Sequence, residues 1–316
     1  MKKLISVLCL LAMFAAALPP AQAQAEQIRV GALTGPTAMG MAELLGNDAC
    51  APSIFGSADE LTPLILKGEV DLAAVPANLA ATLYNKTEGG VTALAVNVLG
   101  VLYICAYQMP EIASLEDLRG QTLYATGKGA TPEYFLRYVL TRNGLDPDRD
   151  LTIEWKSEPG EVVALLNARQ SGIAMLPQPY VTAAAAQLGE GFRSALSVSQ
   201  EWERLEDGTR CTTAVVIGRT EYIRQHPAEV EAFLERLSAS VAWVNENPAQ
   251  AAALCQELGI AKAAVAEKAI PQCNLVCITG GDMKQALSGC LGVIFDQNPK
   301  AVGSAMPGDD FYYGGE

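Results

Sequence analysis

Short apolar runs alternate along the chain with longer stretches in which apolar residues recur at helical spacing. The runs predict strands at Ile28 to Leu33, Val70 to Val75, Thr92 to Val96 and Leu102 to Tyr107, then at Thr122 to Ala125, Leu151 to Trp155, Gly172 to Leu176 and Thr212 to Ile217. Helical patterns fill the gaps, and this alternation marks an α/β fold with parallel sheets. From Tyr222 onward the pattern is helical throughout, with helices expected after Pro227, after Pro248, after Ile260 and from Asp282 to about Gln297. Some ends are signed locally. Ser57-Ala58-Asp59-Glu60 reads as a capping box, in which a hydroxyl and a carboxylate satisfy first-turn amides reciprocally. Pro63 equally allows a helix restarting at Thr62, because proline is favoured in a first turn. Ser114 to Asp117 starts a short helix that Gly120 can end in the left-handed conformation.

A weak internal duplication is the most informative pattern. Residues 29–37, closing on Thr34-Gly35-Pro36-Thr37, pass from a strand through a turn into a helix, and residues 122–132, with Lys128-Gly129-Ala130-Thr131, do the same. Val70 to Pro76 runs from strand to proline to helix, and Ser171 to Pro177 repeats it. The proline-to-proline gap is about 40 residues in the first copy and about 45 in the second, which suits one strand-helix-strand-helix unit with its closing strand. Two similar α/β lobes then enclose a cleft. Ligands of open α/β sheets sit beyond the carboxyl ends of strands, where all four turns fall. The expected division is 24–107 plus 205–316 for the first lobe, with the C-terminal helices, and 108–204 for the second, hinged by two crossing strands.

The first residues lie outside this scheme. Lys2 and Lys3 precede an apolar run from Leu4 to Leu18, Pro19-Pro20 breaks it, and Ala21-Gln22-Ala23 supplies the small residues of a signal-peptidase site. Residues 1–23 are therefore expected to be a cleaved signal peptide, with Ala25 as the alternative last residue. The apolar run is shorter than the roughly 20 residues needed to span a bilayer. Cys9 lies inside it, not at a lipid-modified first position. A soluble periplasmic protein follows as the expectation.

What remains is close to 290 residues, enough for two cores. Loss of Lys2 and Lys3 takes the net charge from -13 to -15, a balance that repels nucleic acid and anionic lipid. Seven cysteines stay in the mature part, so at least one thiol is unpaired or bridges two molecules. Buried free thiols and one or two bridges are both open. The single histidine, His226, stands before Pro227 at a helix start, and no phosphate-loop pattern occurs. A histidine-dependent triad or a multi-histidine metal site has little to be built from, and neither catalysis nor a cofactor is expected.

The stretches Gly31 to Gly40, Gly68 to Asn78, Ser114 to Gly120 and Leu176 to Thr182, with the Asn298-Pro299 turn and the Phe311-Tyr312-Tyr313 ending, resemble a family of ABC-transporter solute-binding proteins. It is the branch grouped with nitrate, sulfonate, taurine and bicarbonate binders and with the pyrimidine-precursor binders of thiamine metabolism. The resemblance implies a type II periplasmic-binding-protein fold, working as a monomer, that closes on a small solute and docks on a membrane permease with its ATPase. It sets Thr34, Gly35, Pro36, Thr37 and Asn78 on one wall of the cleft, and Lys128, Gly129, Ala130, Thr131 and Gln178 on the other. Relatives often carry an acid where this chain has Gln178.

Physically, a turn rich in Gly and Thr that opens a helix offers amides and hydroxyls at the positive end of the helix dipole, and can hold a carboxylate, sulfonate or nitrate. Lys128 adds charge. One such terminus contributes about 0.3 to 1 kcal/mol, so two facing helix starts and closure are needed to reach the roughly 8 kcal/mol of micromolar binding. The same residues also have local duties as caps, first-turn prolines and turn glycines. Their recurrence in both halves favours a shared site, with a small organic or oxo-anion bridging Thr37 and Thr131. A neutral or heteroaromatic solute leaning on Asn78, Gln178 and one of Tyr124, Tyr134 and Tyr180 is the alternative. Other classes remain: an enzyme on the same fold, or a sensor subunit of a membrane receptor.

Overall fold

The computed structural model describes residues 27–47 and 50–315, so the expected signal peptide lies outside the described residues. Strands β1 (Ile28–Leu33), β2 (Cys50–Phe55), β3 (Leu72–Pro76) and β4 (Val91–Leu99) alternate with helices α1 (Pro36–Met39), α2 (Ala42–Leu45), α3 (Ala58–Lys67) and α4 (Ala77–Lys86). Next come β5 (Leu102–Tyr107), β6 (Thr122–Thr126), α5 (Thr131–Arg142), β7 (Thr152–Lys156), α6 (Pro159–Arg169), β8 (Gly172–Pro177), α7 (Tyr180–Leu188), β9 (Phe192–Ser197) and α8 (Val198–Glu203). The last part holds β10 (Thr212–Arg219), α9 (Thr220–Gln225), α10 (Pro227–Glu246), α11 (Pro248–Glu257), α12 (Ala263–Ala269), β11 (Leu275–Ile278) and α13 (Gly280–Gln297).

The strands form two sheets, ordered β11-β4-β10-β3-β1-β2 and β7-β6-β8-β5-β9. Apart from the extra edge strand β11, the two orders are the same when β1 and β3 are matched to β6 and β8. In each sheet the odd strand comes from the other half of the chain. Antiparallel β10 lies between β3 and β4, and antiparallel β5 lies between β8 and β9. The repeated strand-proline segments thus occupy equivalent places, and the fold is the two-lobed α/β architecture that the duplication predicts.

Leu102 to Tyr107, assigned from sequence to the first lobe, pairs with the second sheet, from Leu102 against Pro177 to Tyr107 against Gly172. The chain crosses at Gly100-Val101. A side chain on Gly100 would stand 2.7 Å from Ser199 Cβ and 2.8 Å from Cys211 Sγ, so the outgoing and returning crossings touch, with glycine where they do. The apolar run is unbroken on both sides of that glycine, which is why the crossing is hard to see in the sequence.

Three strands escape the pattern reading, and each is a sheet edge: β2, β9 and β11. β2 contains Pro52, which lacks a ladder donor and is tolerated on an edge. β11 corrects the expectation of an all-helical region after Tyr222. The capping box at Ser57 does not form: the Ser57 side chain makes no cap bond, Glu60 Oε2 accepts instead from the N–H of Gly56 at 3.1 Å, and α3 runs through Pro63 from Ala58 without restarting. At Ser114 both halves form, and Gly120 adopts φ 74°.

β4 is buried along its whole length. One core lies between the first sheet and α1, α2, α10 and α11, where Met39 and Met41 are fully enclosed. Another spans α3, α4 and α13 and continues into the second half. At its start β3 is fixed by Asp71, which accepts from Arg29 Nε at 2.9 Å and from Arg219 at 3.0 Å, so one carboxylate ties β1, β3 and β10 together. Burial alone pushes the Asp71 carboxyl up, but these hydrogen bonds outweigh it and hold it below the usual range. All seven cysteines among the described residues are free, six buried and Cys277 half-buried, and burial pushes the Cys255 thiol up to about 11. The C-terminal aromatics tuck onto the body: Phe311 packs on Tyr84 at 5.0 Å between centroids, and Tyr312 bridges to Ala93 on β4.

Candidate functional site

The carboxyl ends of β1 and β8 meet. After β1, Thr34 is exposed and its N–H donates to Phe55 O at 3.0 Å, while Gly35 N–H donates to Ile260 O at 3.2 Å. Gly35 takes φ 84° and ψ -150°, a region open almost only to glycine, and turns the chain so that Pro36 and Thr37 open α1. A side-chain carbon on Gly35 would lie 3.9 Å from Pro179, on the other half of the molecule. Thr37 presents its carbonyl inward, where Asn97 Nδ2 donates to it at 2.9 Å. That bond fixes the Asn97 amide, which is 1% exposed, and leaves Oδ1 as a buried atom without a hydrogen-bond partner among the described residues.

On the facing wall Gln178 is 3% exposed and both ends of its side chain are occupied. Its Nε2 donates to Gln272 Oε1 at 2.9 Å, and its Oε1 accepts from Thr182 Oγ1 at 2.9 Å. Gln272 belongs to a turn after α12 and also accepts, at its carbonyl, from Tyr103 OH at 2.7 Å. Burial pushes the Tyr103 phenol up to about 12, so it stays a donor at neutral pH. Gln178 is thus a member of a clasp between the halves. Tyr180, next to it, is 42% exposed at the start of α7.

The carboxyl ends of β3 and β6 are joined differently. Asn78 Nδ2 donates to Ala301 O at 3.3 Å. Across from it, Gly129 O accepts from Tyr134 OH at 2.9 Å, and that hydroxyl accepts from Asn298 Nδ2 at 2.8 Å. Residues 298–301 therefore wedge between the two turns. Within the second turn, Gly129 N–H donates to Glu133 Oε2 at 2.6 Å, while Glu133 Oε1 accepts from Arg137 Nε at 2.8 Å. The start of α5 is served by the chain's own carboxylate, on the amide that an incoming anion would use. Lys128, Gly129 and Ala130 are exposed and Thr131 half-buried. Lys128 lines a separate recess of about 430 Å³ with Trp155, Lys156, Ser157 and Glu161.

Of the ten residues singled out from sequence, the structure brings Gly35, Pro36, Thr37 and Gln178 to one meeting of the walls, with Thr34 exposed beside it. Asn78 and the Lys128 to Thr131 turn gather at another. Asn97, Gln272, Tyr103 and Asn298 were missed. Asn97 had a signal, as a lone amide inside the apolar run Val91–Leu99. His226 caps the start of α10 and stacks on Tyr222 at 4.5 Å, in keeping with a helix-start role. Among the described residues no group of three or more His, Cys, Asp or Glu side chains is placed to hold a metal. No described helix is long and apolar enough to cross a membrane.

Two equivalent sheets that exchange a strand and abut at their carboxyl ends define the periplasmic-binding-protein class of fold. The sequence profile of the NMT1-like family matches residues 37–259, and the chain belongs to that family. Its fold is similar to that of an ABC transporter from Parabacteroides distasonis, at 25% identity and a TM-score of 0.76 over 90% of this chain and 98% of that one. It is also similar to the periplasmic aliphatic sulphonate binding protein SsuA from Escherichia coli, at 16% identity and a TM-score of 0.68 over 90% and 96% of the two chains. A third likeness is to the ligand binding component of an ABC-type import system from Staphylococcus aureus, solved with zinc bound, at 15% identity and a TM-score of 0.63 over 90% and 98%. No curated protein matches the sequence.

Proposed function

We propose that the chain is the extracytoplasmic solute-binding subunit of an ABC importer, exported by the leader at residues 1–23, which captures a small solute between its lobes and delivers it to a permease and ATPase. The observation that carries this reading is the meeting of β1 and β8, where Gly35 approaches Pro179 beside a single pair of touching crossings at Gly100. Rotation about those crossings would part the walls, and a solute touching both would hold them together, because a ligand shifts an equilibrium only by its difference in affinity for the two states. The natural division is then 27–100 with 205–315, and 101–204. Membership of the NMT1-like family and the likeness to import-system binding components support the reading. Transport, and not catalysis, is the activity proposed, with the monomer as the working unit.

For the solute, the geometry gives less support to an anion bridging Thr37 and Thr131 than the turn chemistry alone does. Glu133 already occupies the Gly129 amide, and α1 is one turn long, with a correspondingly small dipole. The sulphonate ligand named for the E. coli relative keeps an oxo-anion as the second reading. A neutral polar or heteroaromatic solute held at the Gly35–Pro179 meeting is the first. The test is a thermal-shift screen of anions, amides and heteroaromatics on unliganded protein, followed by small-angle scattering with each binder, since a ligand of the native state raises its melting point. Binding without any compaction would sink the closure mechanism; a response to anions alone would reverse the order of the two solute readings.

A further inference from the structure

We infer that Asn97 sets solute specificity, by presenting Oδ1 as a hydrogen-bond acceptor that only a solute with an N–H or O–H donor can satisfy; this rests on the solute-capture reading above. The amide is on β4, three residues before the Gly100 crossing, and next to the turn whose glycine approaches Pro179. Its orientation is settled by the bond from Nδ2 to Thr37 O at 2.9 Å, because the reverse flip would set two carbonyl oxygens against each other. Oδ1 is therefore the atom left over, buried and unpartnered among the described residues. Buried polar groups are rarely left so. The strand is otherwise apolar apart from Thr92, and Asn97 stands where the pairing of β4 with β10 shifts register, between Val96 opposite Val215 and Val98 opposite Ala214.

Other polar groups at this meeting of the walls are engaged: both ends of Gln178, the Gly35 N–H and the Tyr103 hydroxyl. Asn97 Oδ1 is the fully buried side-chain atom here without a partner among the described residues, and it accepts without donating. Nitrate and a deprotonated sulfonate group carry acceptors only and would meet it with lone pairs facing lone pairs. An amide, an amine-bearing ring or an alcohol would complete it. The site so read selects on the presence of a donor, which a site built solely on helix starts does not.

The experiment has two arms. Solute released on unfolding the protein purified from its expression host is identified by mass spectrometry, and binding to unliganded protein is measured by calorimetry for two matched pairs that differ in one N–H: N-methylbenzamide against N,N-dimethylbenzamide, and imidazole against N-methylimidazole, with nitrate and methanesulfonate as acceptor-only probes. The same titrations are repeated on Asn97→Leu, with its urea transition as the fold control, and on Asn97→Ala if the leucine variant loses cooperative unfolding. The expected result is a donor-bearing released solute, preference for the N–H member of a pair, and about a tenfold loss of that preference in the variant, the worth of one hydrogen bond. A donor solute that binds wild type and variant alike means that Oδ1 is served by water and overturns the assignment, leaving solute capture intact. Tight nitrate or methanesulfonate binding that Asn97→Leu leaves unchanged overturns it as well. If no probe binds at millimolar concentration and no solute is released, solute capture itself fails and the inference falls with it.

Discussion

Two pairs of turns meet between the lobes, and they meet in different ways. Where β1 and β8 end, glycine approaches proline directly, with Ile260 and Gln272 bonded to the two turns from one side, and one side-chain carbonyl close by has no partner among the described residues. Where β3 and β6 end, Asn78 and Tyr134 both reach for residues 298–301, and Glu133 fills the helix start. The same Gly-Thr-Pro chemistry thus serves the proposed binding contact in one place and a scaffold in the other. What separates them is a C-terminal segment wedged between one pair, and one carboxylate four residues past Gly129 where the first copy has Met39. Local turn chemistry shapes a backbone; its neighbours decide whether the amides it presents are available.

The contrast supposes that overall stability resides elsewhere, and the largest effect tests that. Asp71→Ala should cost about 3 kcal/mol in urea unfolding, because it leaves two guanidiniums facing one another without their carboxylate, while solute affinity stays within about twofold. Because the folded-state carboxyl titrates below its unfolded value, its stabilisation is present in full above about pH 4 and is lost as the pH falls through the folded value. The variant should therefore show a shallower acid limb than wild type; an unchanged limb would place the acid sensitivity elsewhere.

Gly35→Ala comes next. It forces a side chain into a glycine-only conformation and toward Pro179, for an expected loss of about 1 to 3 kcal/mol together with most solute binding. Gly129→Ala, at φ 76° with open space around it, should lose about 1 kcal/mol and little binding, and equal effects at the two glycines would break the comparison. Smaller again, Glu133→Ala should cost about 1 kcal/mol and make the melting point newly responsive to sulfate, since the Gly129 amide becomes free. A sulfate response already present in wild type would mean that the turn is open. Lys128→Ala should be nearly silent, within about 0.5 kcal/mol in stability and about twofold in affinity, as expected of an exposed lysine.

The central strands were legible because they are buried on both faces and read as apolar runs; β1 and β5 were read residue for residue. The edge strands β2 and β9 mix apolar with polar and exposed positions, so no period separates them from loops, while β11 is apolar but only four residues long amid helical patterns. The duplication was legible because proline and glycine mark equivalent turns. The exchange of β5 and β10 between sheets was less so, since strand partners are set by tertiary packing. That exchange is why Gly35 has Pro179 as its neighbour and not the turn at Thr131. Gln178 looked like a ligand contact from its place after β8, but only coordinates reveal that Gln272 and Thr182 consume both its ends.

The C-terminal tail completes the border of a strand. The outer border of β4 is shared by two short pieces, β11 along Val96 and Val98 and the tail at Ala93, where Tyr313 N–H donates to the Ala93 carbonyl at 3.0 Å. β4 is wholly apolar apart from Thr92 and Asn97, and an uncovered border on such a strand is a template on which a second molecule could grow its own sheet. Phe311, Tyr312 and Tyr313 therefore cover the stretch of that border at Ala93 which β11 leaves bare, and removing them would expose backbone donors and acceptors to pairing with another chain.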